Sequence, residues 1–148
     1  MSQEPYEIEL VLSAADEEEH QYGEADWHLS MLATITGLTK SEIMSKLPLE
    51  YAKRGSWRGG TYGEMARLLG YNTNPRFIKF DKDTPWPCIL RVQVPESWGW
   101  KGKWWALIYN QGLVYNTAYP GWRDTLEAFQ AFYPECRITS MLQIWIAD

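Results

Sequence analysis

The stretch from Cys88 to Thr117 restricts the fold more than any other part of the chain. Cys88 to Val94 is a largely apolar run with several β-branched residues, and it reads as a strand. Trp104 to Tyr109 and Leu113 to Thr117 flank Asn110-Gln111-Gly112, which reads as a hairpin. Such strands need a further layer to cover their apolar face. The flanking sequence offers one. Asp26 is a candidate N-cap for a helix over about residues 27–36, with Gly37 as its stop and Met31, Leu32, Ile35 and Leu38 as its buried stripe. Thr39 and Glu42 form a capping-box pattern for a second helix ending before Pro48. Thr61 and Glu64 repeat the pattern for a third, which stops at Gly70. Asp124 and Glu127 open a fourth that ends at Pro134, and Arg137 to Ile146 alternates as a last strand. Residues 6–12 alternate as a first strand, and residues 13–26 read as a loop. The expectation is an α+β domain with its helices on one side of a small, mainly antiparallel sheet, on which the N-terminal helices pack.

The chain has 148 residues, 45% hydrophobic and 22% charged, which fits a single folded domain and excludes overall disorder. Its expected parts are an acidic strand and loop over 1–26, a helical part over 27–70, and a sheet part with one late helix over 77–148. No apolar run reaches the roughly 18–20 residues of a membrane span. The first residues lack a basic region followed by an apolar stretch, so no secretory signal is expected. Cys88 and Cys136 lack metal-ligand spacing, and His20 and His28 are the only histidines. No metal or cofactor is expected, and the cysteines read as free structural thiols in a reducing cytoplasm. The net charge of −5 is unevenly spread. Residues 1–26 hold nine acidic groups and no Lys or Arg, while the rest holds ten acidic and fourteen basic groups.

Residues 21–38, from Gln21 through Trp27 to Leu38, resemble the first helix of papain-like cysteine peptidases, in particular the small bacterial and phage branch. That branch reads Asp-Cys-Gly or Asp-Cys-Ala, then an apolar helix ending in Leu-Thr-Gly-Leu, then a short helix with Glu, here Thr39 to Leu47. Its basic Arg-Gly-Thr segment is similar to Trp57-Arg58-Gly59-Gly60-Thr61, and its histidine hairpin to Trp105 through Asn116. The resemblance covers about residues 20–120 and implies a papain-like fold.

It does not imply the chemistry. In that family a Cys at the helix start is the nucleophile, because the positive helix end favours a thiolate. A His on the facing hairpin moves the proton, an Asp or Asn orients it, and an upstream Gln stabilises the oxyanion. By the resemblance, Trp27 stands at the nucleophile position. Trp105 stands at the His position, or Trp104 if the hairpin register slips by one. Asn116 stands at the orienting position, and Gln21, six residues before Trp27, at the oxyanion position. An indole supplies neither a nucleophile nor a general base at pH 7. The resemblance therefore implies a degenerate, inactive site in which Trp27 and Trp105 share one cleft, with Gln21 and Asn116 nearby. The rival enzyme reading is a cysteine hydrolase or amidase with a relocated pair, Cys88 or Cys136 with His28.

Two surfaces remain. Lys53, Arg54 and Arg58 surround Trp57, a pattern that fits single-stranded nucleic acid, but the acidic chain (pI about 5.1) opposes a broad phosphate footprint. Direct nucleic-acid binding is not expected. Trp98, Trp100 and Trp104, with Lys101 and Lys103, lie on a segment rich in Gly and read as anchors of a protein interface. Asp16, Glu17, Glu18 and Glu19 read as a second contact for a basic partner. The functional expectation is a cytoplasmic phage accessory protein that binds and inhibits or redirects a host protein, with a virion component that assembles through the tryptophans as the alternative.

Overall fold

The computed structural model describes residues 25–47, 59–100, 104–117 and 122–146. The expected strand over 6–12, Asp16–Glu19, His20, Gln21, Trp57 and Arg58 lie outside them. The order is α1 (Ala25–Thr36), α2 (Lys40–Lys46), α3 (Gly59–Leu68), β1 (Tyr71–Thr73), β2 (Ile78–Lys79), β3 (Cys88–Gln93), a 3-10 turn (Glu96–Trp98), β4 (Trp104–Asn110), β5 (Leu113–Asn116), β6 (Trp122–Thr125), α4 (Leu126–Phe132) and β7 (Arg137–Ile146). All described strand pairings are antiparallel, in the sheet order β1-β7-β3-β4-β5-β6 with β2 also paired to β7. The α+β class and the mainly antiparallel sheet are as the sequence predicts.

Alternation along β3 and β4 sends side chains to two faces, each with its own core. On the inner face Ile89, Ile108, Tyr115, Leu142 and Ile144 pack with α1, α2 and α3 through Leu32, Ile35, Ile43 and Met65. On the outer face Cys88, Leu90, Val92, Trp105, Leu107, Tyr109, Val114 and Met141 pack with Phe129 of α4. The helices therefore lie on both sides of the sheet, not on one. α4 follows a strand on the edge of the described sheet, and its apolar residues Leu126 and Phe129 join the outer cluster.

Local signals explain most boundaries. α1 is buried from Leu29 to Ile35, polar residues included, so it is a central helix and not one with a single apolar stripe. Thr34 meets its hydrogen-bonding need within the helix, donating to Ser30 O at 2.9 Å. Gly37 (φ 77) ends α1 in the left-handed region. The helix begins at Ala25, so Asp26 lies inside it and is not its cap. α2 has the predicted capping box: the Glu42 N–H donates to Thr39 Oγ1 and the Thr39 N–H to Glu42 Oε1, both at 3.1 Å. α3 starts at Gly59, two residues before the predicted Thr61. α4 is capped by Thr125, whose Oγ1 accepts from the Ala128 N–H at 3.1 Å, while Asp124 belongs to β6. Among the described residues the first strand starts at Tyr71, ahead of the expected residue 77, because β1 pairs with the end of β7.

β7 does not alternate throughout. The β3–β7 register shifts between Arg91 and Val92, where Arg91 pairs with Ser140 and Val92 with Ile138. Thr139 is the extra residue, a β-bulge, and its Oγ1 donates to Arg91 O at 2.9 Å. The bulge lets Ile138 and Met141 both join the outer core although they are three residues apart.

Candidate functional site

The outer face carries a continuous aromatic cluster with Trp105 as its hub. Trp105 is 6% exposed and meets five rings: Trp98 at 5.9 Å between centroids, Trp100 at 5.6 Å, Trp122 at 6.0 Å, Phe129 at 5.8 Å and Tyr133 at 5.1 Å. Several of these pairs meet edge to face, the arrangement that ring quadrupoles favour. The backbone explains the convergence. Trp105 points outward from β4, and Trp122 sits across β5 from it on β6. Phe129 and Tyr133 lie one helical turn apart at the end of α4, and the Tyr133 N–H closes that turn on Phe129 O. Trp98 enters from the 3-10 turn, which Gly99 (φ 71) ends, leaving Trp100 beyond it.

The cluster is buried at its centre and open at its edges. Trp98 is half-buried, Trp100 is 40% exposed, and Phe132 is 77% exposed while touching Tyr133 at 5.0 Å. At the Phe132 edge Trp122, Arg123, Asp124, Phe129, Phe132 and Tyr133 line a pocket of about 250 Å³. Four of its members, Trp122, Phe129, Phe132 and Tyr133, were not singled out from the sequence. The available signal was the amphipathic spacing of Leu126, Phe129 and Tyr133 on α4.

Of the degenerate-site positions, Gln21 and the side chain of Trp27 lie outside what the structure describes. Trp27 lies in the first turn of α1, a helix of the inner face, whereas Trp105 belongs to the outer core. Trp104, the register-slipped alternative, shares its face with Ala106, which packs on the inner core. Asn116 alternates with Tyr115 and pairs with Trp122, which puts it on the outer face as well.

The cysteines are free, with different surroundings. Cys88 is fully buried, and burial pushes its thiol well above the usual range, only partly offset by a backbone hydrogen bond at Tyr109. Cys136 is half-buried, and its thiol is also raised, first by burial and then by the charge of Glu135. A thiol held protonated is a poor nucleophile. The sheet also separates Cys88 from α1, the helix that carries His28. Among the described residues no group of His, Cys, Asp and Glu could hold a metal ion, and no helix is long and apolar enough to cross a membrane. No family model matches the chain, and neither a curated protein nor a solved structure does.

Proposed function

We propose that this protein acts by binding another protein through the open edge of its outer aromatic cluster, and not by hydrolysis. The observation that carries this reading is the exposure of Phe132 and Trp100, at 77% and 40%, on a cluster whose hub Trp105 is buried. Large rings held by a packed base and left open at one side offer contact area at little further entropy cost, which is how interface anchors work. The pocket beside Phe132 gives a partner side chain a place to enter. Against hydrolysis stand the buried, protonated Cys88 and the tryptophans at positions 27 and 104–105.

The origin we propose is a papain-like domain that has lost its catalytic pair, with Trp104 and not Trp105 as the residue facing the helix side. An apolar first helix followed by an antiparallel sheet supports this, together with the motifs of residues 21–38 and 57–61. The same resemblance supports a phage accessory role toward a host protein.

The test is site-specific photo-crosslinking. A benzoylphenylalanine placed at position 132 is expected to give a discrete adduct with a second protein in a lysate of the source cells. The adduct should vanish with Trp100→Ala and should not form from position 67 on α3. Adducts of equal yield from both positions, or none from position 132, would reject the reading. An adduct with a second copy of the chain would favour assembly instead.

A further inference from the structure

Among the described residues, the inner face of the sheet is covered by helices at one end only. Beyond Ile89 its rows are polar. Lys79, Ser140, Arg91 and Ala106 pair across β2, β7, β3 and β4, and the next row on the same face is Arg137, Gln93 and Trp104. Lys79, Arg91, Arg137 and Trp104 are all exposed. The Thr139 bulge brings Arg137 into this set, since in a regular strand it would share a face with Met141. The two guanidinium groups are held. The Arg91 carbon lies 4.2 Å from the centre of the Trp104 ring, and Arg137 Nη2 donates to Gln93 Oε1 at 3.0 Å. No Asp or Glu stands on either row.

We infer that this face is a second binding surface, and that its occupant is a short acidic segment of a partner protein. Planar guanidinium groups fixed by stacking and by an amide take carboxylates in bidentate fashion with little further ordering. Three cations in a compact patch match a few carboxylates. The exposed Trp104 offers packing for an apolar residue beside them, and Ser140 adds a hydroxyl. A nucleic-acid strand carries a phosphate at every nucleotide and needs a longer basic track than these two rows, on a chain whose net charge of −5 repels it. The surface lies on the opposite side of the sheet from the aromatic cluster and does not depend on the binding role proposed for that cluster.

The experiment is fluorescence anisotropy on the full chain with a labelled peptide of glutamates around one leucine, beside a labelled oligo-uridylate. The peptide is expected to bind, to weaken with added salt, and to lose affinity about tenfold with Arg91→Gln and with Arg137→Gln. Trp104→Ala should also weaken it, while Lys46→Gln on α2 should not. Melting temperatures of the arginine variants should match the parent, because both side chains are exposed. Absent peptide binding, equal loss with Lys46→Gln, or tighter binding of the oligo-uridylate would overturn the inference.

Discussion

Gln111 is the one non-glycine residue with a positive φ among the described residues, at 47°, and Gly112 follows at 86°. Two successive left-handed residues make the two-residue turn whose twist suits a hairpin, and the first position favours Asn or Gly over Gln. Gln111→Asn is therefore expected to stabilise the fold by about 0.5 kcal/mol, read as a higher urea midpoint at unchanged slope. An unchanged or lower midpoint would show that Gln111 makes compensating contacts. Cys88 gives a pH expectation. Its folded-state value lies above its ordinary 9.0, so the folded chain holds the proton after the unfolded chain has lost it. The thiol's contribution is complete below pH 9 and is lost as the pH rises above it, and buried Tyr62, raised by burial from 10.0, acts in the same direction. Unfolding free energy should fall above pH 9, and Cys88→Ala should flatten the first part of that fall. The same steepness in both proteins would locate the effect elsewhere.

At the level of elements, what was legible in the sequence had a local cause. The capping box of Thr39 and Glu42, the stop at Gly37 and the turn at Gln111-Gly112 are short-range devices, and each appears where the residues put it. β1 and β2 were not legible, because three and two residues carry no period and exist only as partners of β7. The side of the sheet that Trp105 faces was not legible either. Period two says that Trp104 and Trp105 face apart, but only the packing of Ala106 and Ile108 on α1 decides which faces the helices. The bulge in β7 hid for the same reason, since its sign is a pairing shift and not a residue type. Deleting Thr139 would leave Ile138 next to Ser140 in a regular strand, with the pairs to Val92 and Arg91 kept and with Ile138 and Arg137 on the faces they now occupy. The expected cost is under about 1 kcal/mol in equilibrium unfolding, because no core side chain changes face. A cost on the order of 3 kcal/mol would mean that the bulge and the Thr139 bond to Arg91 O are needed to hold β7 on β3.

Across the whole molecule, one sheet separates two chemistries. The inner face packs α1, α2 and α3 and then opens into arginines, and the outer face gathers aromatic rings around Trp105. Neither surface contains an ionised thiol beside a base, and both contain side chains fixed at their roots and open at their tips. The central claim is that the aromatic edge serves binding while the hub serves stability. The most direct measurement is unfolding free energy and partner affinity taken together for Trp105→Ala and Phe132→Ser, with the crosslinked protein as partner. Trp105→Ala should cost about 3–5 kcal/mol of stability, the range for a buried Trp. Phe132→Ser should change stability by less than about 0.5 kcal/mol yet weaken the partner by about 2 kcal/mol, the scale of an interface anchor. A Phe132→Ser variant that unfolds as readily as Trp105→Ala, or binds as tightly as the parent, would contradict the account.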